Sequence, residues 1–324
     1  MSCVSENDDT EPFFANLTNA PLRDLNIAMG YPLFAVTKSR RREPLIFRSD
    51  TKFVHVDAPA TYGIPTILDA DFLIAIASQL NEARELREKG RDAPKPSCRI
   101  RFYPYDILPM IGRSTGGSQY RWLAEALRRL RFVAVRTNLR EEMRPEYGCE
   151  ESFSWIRYYR IPTEYGGVMT PESDGSKPDG SRPWEIELDP IVFSEMTDPK
   201  NLLAIDPRYF ELGPMERFLY RTARKHAEPG QKREVKPFTI SMQRLYERSQ
   251  AQESSKSFAM RTRKVAIRDL LPQYALEIFR NAHKEEFVRM RRDWSKSGRP
   301  RRGSDANRTQ TVSRPVEKMW ITRL

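Results

Sequence analysis

Tyr103-Pro-Tyr-Asp-Ile-Leu-Pro-Met-Ile-Gly112-Arg-Ser-Thr-Gly-Gly117-Ser-Gln-Tyr-Arg-Trp-Leu-Ala-Glu-Ala-Leu-Arg-Arg-Leu-Arg131 is the stretch that decides the fold. Pro104 suits the first position of a short helix that runs to Ile111. Residues 112–117 form a small-residue turn. Residues 118–131 then read as a helix, with Leu123, Leu127 and Leu130 on one face and Ala126 beside them. A short helix, a tight turn and a patterned helix make a helix-turn-helix. In that motif the second helix enters the major groove and its N-terminal residues reach base edges.

The turn carries suitable chemistry. Arg113, Ser114 and Thr115 are donors, and Gly116 and Gly117 leave backbone N–H groups open at a helix N-terminus, which suits a phosphate. Gln119, Tyr120 and Arg121 occupy the reading positions. Gln pairs with adenine and Arg with guanine through two hydrogen bonds. Arg128, Arg129 and Arg131 lie further along and fit phosphate contacts. An ordinary loop before a core helix with a solvated basic face gives the same local pattern.

Working outward, residues 1–19 read as a flexible arm, and short strands fall near residues 32–36, 45–48 and 53–57. A helix is expected over 69–87, with Leu73, Ile76, Ala77 and Leu80 on one face and a strand over 99–103 after it. Beyond the patterned helix, residues 132–139 and 153–161 read as a two-stranded hairpin. The loop between them, residues 140–151, is its wing, with five Glu against two Arg. This order describes a winged helix. Residues 166–183 are a Gly/Pro-rich loop, followed by a strand over 184–188 with Glu185 and Glu187 outward.

A second unit is expected over 190–283. Its helices fall at 214–227, 241–248 and 254–270, and a strand follows from Leu271. The third helix has an apolar side (Phe258, Val265, Leu270) and carries Lys256, Arg261, Arg263, Lys264 and Arg268. Several phosphate contacts there make affinity fall steeply with salt; a solubilising basic helix is the plainer alternative. Residues 284–324 read as a basic tail, disordered over much of 295–314. The expected fold class is therefore α+β: an arm (1–19), a first winged-helix domain (20–189), a second (190–283) and the tail.

Net charge sharpens the division. The chain has 324 residues and a net charge of +11. Residues 1–214 hold 28 Lys/Arg against 32 Asp/Glu, and residues 215–302 hold 23 against 10. The basic excess belongs to the second unit, where a polyanion is the natural partner. No apolar run reaches the roughly 18 residues that span a bilayer. The acidic first ten residues make no signal peptide, and Cys3, Cys98 and Cys149 have neither metal nor disulfide spacing. A reducing cytoplasm is the expected compartment, with no membrane partner.

Catalytic signals are weak. His55, His226 and His283 are too far apart in sequence for a paired-histidine nicking site, and no phosphate-binding loop with its lysine occurs. The carboxylate pairs Asp69/Asp71, Glu141/Glu142 and Glu150/Glu151 leave a metal-dependent nuclease as an alternative from another class. A helix cap and an exposed wing account for them more simply. His226, at a helix end beside Arg224 and Lys225, reads as a surface residue. Trp122 and Trp155 read as packing groups.

Several pieces together resemble the replication initiator protein A family of plasmids in Gram-negative bacteria. Near the start are Ala20-Pro21-Leu22 with Pro32-Leu33-Phe34, then Asp69-x-Asp71-Phe72-Leu73-Ile74 with Ser78-Gln79-Leu80. The sharpest piece is Thr115-Gly-Gly-x-x-Tyr120-x-x-Leu123-x-x-Ala126-Leu127-x-Arg129-Leu130-Arg131, followed by Thr137-Asn138. Tyr209-Phe210-x-Leu212, Glu216-Arg217-x-Leu219-Tyr220-x-x-Ala223-Arg224-Lys225-His226, residues 254–261 and Leu271-Pro272-x-Tyr274 complete it. The resemblance implies tandem winged-helix domains without a cofactor that bind repeated duplex sequences at a plasmid origin. It also implies help in opening the duplex and recruitment of host replication proteins such as an initiator or helicase. By the same analogy a homodimer forms through the first domain and represses its own promoter. A winged-helix transcriptional regulator remains the nearest alternative.

Overall fold

The computed structural model describes residues 11–17, 19–139, 150–165, 182–227 and 237–296. The chain opens with β1 (Phe13–Phe14), β2 (Arg23–Leu25), α1 (Asn26–Gly30), β3 (Leu45–Arg48) and β4 (Phe53–Asp57). Then come α2 (Ala70–Glu88), β5 (Arg99–Phe102), α3 (Pro104–Met110) and α4 (Gly117–Phe132). Four short strands follow: β6 (Ala134–Thr137), β7 (Glu151–Phe153), β8 (Ile156–Arg160) and β9 (Trp184–Leu188). The second half holds α5 (Pro190–Thr197), β10 (Leu202–Ala204), α6 (Pro214–His226), β11 (Phe238–Ser241), α7 (Met242–Ser249) and α8 (Ser255–Arg268). It ends on a hairpin of β12 (Tyr274–Arg280) and β13 (Glu286–Arg292). The class is mixed α+β.

One arrangement occurs twice. In the first half, α2, β5, α3 and α4 lead to β8 and β9, and the sheet order β5-β9-β8 places the last strand in the middle. In the second, α6, β11, α7 and α8 lead to β12 and β13, in the order β11-β13-β12. In the first half α2 is buried nearly all round over most of its length. On α2, Phe72, Leu73, Ala75, Ile76, Ala77 and Leu80 enter the first core, and Ile74 faces the second. A helix apolar on every side must sit between packed layers.

Buried ion pairs and a shared ladder join the halves. β2 pairs antiparallel with β10. Arg221 of α6 meets Asp24, and Arg217 meets Asp71 of α2. Burial pushes the Asp71 carboxyl up to about 6, against the pull of Arg217. The turn between α7 and α8 is braced from the other half: Arg41 donates to the Gln250 carbonyl, and the Ile46 N–H donates to Gln250 Oε1. Gln250 itself sits in the left-handed region at φ 50°.

Several expectations need correction. The arm is not loose from residue 13 on, because β1 pairs parallel with β5 and Phe13 and Ala15 are fully buried. Residues 32–36 form no strand; Leu33, Phe34 and Ala35 pack into the core, and Ala35 makes one isolated bridge to Thr66. The expected hairpin of 132–139 with 153–161 forms only in part: β6 pairs antiparallel with β7, Val135 opposite Phe153, while β8 belongs to another sheet. Phe132 ends α4, and β6 joins β3, β4 and β7 in a separate sheet of order β3-β4-β6-β7. β8 pairs instead with β9, the strand that follows the Gly/Pro-rich segment, while residues 140–151 join β6 to its neighbour β7. Most of both loops lies outside the described residues.

Other boundaries move too. Val192 and Met196 of α5 pack into the first core, so the chain changes cores near Ile205 rather than at residue 190. Residues 286–292 are the central strand of the second sheet, not the start of a tail. The tail beyond residue 296 lies outside the described residues. Glu185 lies, as expected, on the sheet face opposite the core residues Trp184, Ile186 and Leu188, but it is buried there between Arg99 at 3.0 Å and Arg101 at 2.8 Å. His226 is half-buried and stacked on Phe238, and burial beside Arg248 and Lys225 lowers its pKa to about 4.

Candidate nucleic-acid interface

The turn before α4 is built as its sequence suggests. Gly112 takes φ +69°, which an L side chain rarely adopts. A Cβ built at Gly116 or Gly117 meets nothing within 4 Å, so the start of α4 is bare. Gly116 is the N-cap and supplies no side-chain acceptor, leaving the first amides of the helix to an outside partner. Ser114, Thr115 and Arg121 are exposed beside them.

The other predicted residues of this unit divide differently. Arg113 is half-buried: its Nη1 donates to Gln119 Oε1 at 3.0 Å, and its guanidinium lies 3.5 Å from the centre of the Trp122 ring. Its Nη1 holds Gln119 in place, while its Nε is buried without a partner among the described residues. Tyr120 is buried, 5.7 Å from Tyr165 and 6.3 Å from Trp184 between ring centres, so it does not read bases. Arg128 is buried and donates to the Tyr165 carbonyl at 2.6 Å and to Glu125. Arg129 grips both oxygens of Asp69 at 2.8 Å. Neither arginine is placed for phosphate. The outward cation near the N-terminus of α4 is Arg121.

The second unit is richer. Ser254 caps α8 by accepting from the Ser257 N–H. Phe258, Thr262 and Val265 are buried against the second core, and Lys256, Lys264 and Arg268 project outward. Arg261 is paired with Glu253 at 2.8 Å. Arg263 is bound by both oxygens of Glu286 at 3.0 and 2.7 Å, which ties α8 to the hairpin. The hydrogen bond to Glu286 raises the pKa of Arg263 further.

The hairpin supplies cations, of which Lys284, Arg289 and Arg291 fall in the segment that the sequence reading placed in the tail. Arg280, Lys284 and Arg291 are exposed. Arg289 lies over the Phe279 ring at 4.6 Å and pairs with Glu277. The missed signal is a period of two: Val288 and Met290 are buried, while Phe287, Arg289 and Arg291 face the other way. The Asn281 side chain accepts from the His283 and Glu285 N–H groups at 3.0 and 2.9 Å, which shapes the tip.

Asp69 and Asp71, a candidate carboxylate pair for metal-dependent cleavage, are both buried and face Arg129 and Arg217. Among the described residues no group of three or more His, Cys, Asp or Glu is placed to hold a metal ion, and no helix is long and apolar enough to cross a membrane.

Comparison with known proteins follows the same outline. The chain is 25% identical over 274 residues to a protein of Wigglesworthia glossinidia brevipalpis named "Putative replication protein", a match that covers 84% of this chain and 90% of the relative. Its fold is similar to a solved structure of domains 2 and 3 of RctB, with a TM-score of 0.56 and 14% identity over 83% of this chain and 98% of that one. A second structure of RctB domains 2–3 matches with a TM-score of 0.52, 13% identity and coverage of 84% and 98%. The family model described as "Replication initiator protein A" matches residues 23–276, so the chain belongs to the replication initiator protein A family.

Proposed function

We propose that the chain initiates plasmid replication by binding repeated duplex sequences at the origin through two winged-helix units. In this reading it helps open the duplex and recruits host replication proteins such as an initiator or helicase. The observation that carries the proposal is the repeated arrangement of helix, strand, two helices and hairpin, with the last strand central in each sheet. A winged helix uses its third helix in the major groove. Both third helices, α4 and α8, here present polar or basic residues outward.

The two units contribute unequally. α4 offers a bare helix N-terminus, Ser114, Thr115, a positioned Gln119 and Arg121, a set suited to base reading. α8 and its hairpin offer Lys256, Lys264, Arg268, Arg280, Lys284 and Arg291, a set suited to phosphates. Specificity is weighted to the first unit and salt-sensitive affinity to the second. No step in this function needs a cofactor or a catalytic group.

Selection of bound sites from random duplex DNA tests the reading. A consensus that recurs as repeats in the DNA flanking the gene is expected. A lone palindrome at the gene's promoter, together with failure of a plasmid carrying the gene and its flanks to replicate, would favour a transcriptional regulator. Nicking of supercoiled DNA in magnesium by catalytic amounts of protein would replace both with a nuclease.

A further inference from the structure

The outward face of α8 is not wholly basic. Phe258, Thr262 and Val265 define its buried side. At 100° per residue, Met260 and Ile267 fall opposite that side, one strip with Lys256 and Arg263. Met260 is 49% exposed and Ile267 83%, the latter the most exposed large apolar side chain among the described residues. Lys256 begins the strip, Lys264 and Arg268 flank it on the helix, and Arg280 lines the same groove as Ile267 from the hairpin.

We infer that Met260 and Ile267 read thymine methyl groups in the major groove of the bound duplex. The inference rests on the DNA-binding reading above and adds a recognition chemistry to it. Thymine is the base that offers an apolar group, its C5-methyl, in the major groove, and apolar side chains recognise it by contact. A helix that enters the groove leads with its outward face, and here that face is apolar at its centre and basic around it. The same basic frame argues for a polyanion over an apolar protein surface, although Ile267 also borders a groove lined by Leu276 and Ile278. Seven residues of helix separate the two side chains by about 10.5 Å, or about three base-pair steps. The thymines they read lie at that spacing.

The experiment compares a duplex selected from random DNA with the same duplex rebuilt with deoxyuridine for thymidine. This change removes the methyl groups and keeps the base pairing. Wild-type protein should bind the uracil duplex about fourfold more weakly for each methyl read. Met260→Ala should lose sensitivity at one thymine and Ile267→Ala at another, about three base pairs away. The double variant should bind both duplexes alike and keep the wild-type circular dichroism spectrum. Equal binding of both duplexes by the wild type would overturn the inference. So would a double variant that stays fully methyl-sensitive, or one that loses self-association and leaves methyl sensitivity intact. Failure to select any duplex would instead remove the DNA-binding reading itself, a result distinct from these.

Discussion

Arg221 donates from Nε and Nη2 to the two carboxylate oxygens of Asp24 at 2.7 and 2.8 Å, and both side chains are 4% exposed. The pair joins α6 to β2 across the boundary of the two cores. Removing one partner leaves a buried charge unmatched, which costs about 3–5 kcal/mol, whereas a well-packed apolar replacement of both costs far less. Asp24→Asn and Arg221→Met should each lower the urea midpoint strongly. The combination Asp24→Leu/Arg221→Met should recover much of the loss. A loss in the double equal to the sum of the two single losses would mean that the two side chains act independently.

His226 gives the pH dependence a direction. Its folded pKa is about 4, below the ordinary 6.5, because burial and then the neighbouring Arg248 and Lys225 disfavour the charged ring. The unfolded chain therefore binds a proton that the folded chain does not between about 6.5 and 4. Stability from this group is complete above pH 6.5 and is lost as pH falls towards 4. His226→Gln should flatten that limb of the stability curve, measured by chemical denaturation at several pH values.

Gly117 separates a role in DNA contact from a role in folding. An added Cβ finds open space there, so Gly117→Ala should leave stability unchanged or raise it by up to about 1 kcal/mol through the unfolded chain. Affinity for a selected duplex should fall several-fold, because the methyl would stand between the helix N-terminus and a phosphate. Undiminished affinity would remove this helix end from the interface.

The two units should respond differently to salt. Each phosphate neutralised contributes about 0.9 to the slope of log affinity against log salt, so Lys256→Ala/Lys264→Ala/Arg268→Ala should make it shallower by about 2.7. Arg121→Ala should instead cost about 1–3 kcal/mol on the preferred sequence and little on random DNA, if it holds a guanine. Arg263→Ala has a further effect through its bond to Glu286: it loosens the link between α8 and the hairpin. Filter binding over a salt series distinguishes the three.

The sequence made the helices legible and the long-range pairings much less so. Leu123, Leu127 and Leu130 repeat at spacings of three and four, which places α4 without reference to the rest of the chain. The pairing of β6 with β7 across residues 140–151 is local, yet the other neighbour of β6 is β4, about 80 residues earlier, and nothing local records that partner. Arg128 and Arg129 read as phosphate ligands because basic residues are usually exposed. Their partners, Tyr165 and Asp69, are 37 and 60 residues distant. Charge hides β13 in the same way: its arginines read as a tail, although Val288 and Met290 share a buried face.

The brace on Gln250 bears on how such a protein can change over time. The loop that sets the direction of α8 takes hydrogen bonds from Arg41 and Ile46, some 200 residues upstream. A gene fusion that exchanged only the second half between relatives would carry the helix across and leave its aiming bracket behind. The two halves therefore fit as a matched set, and the direction of α8 is kept more readily by substitution within the helix than by exchange of the unit that contains it.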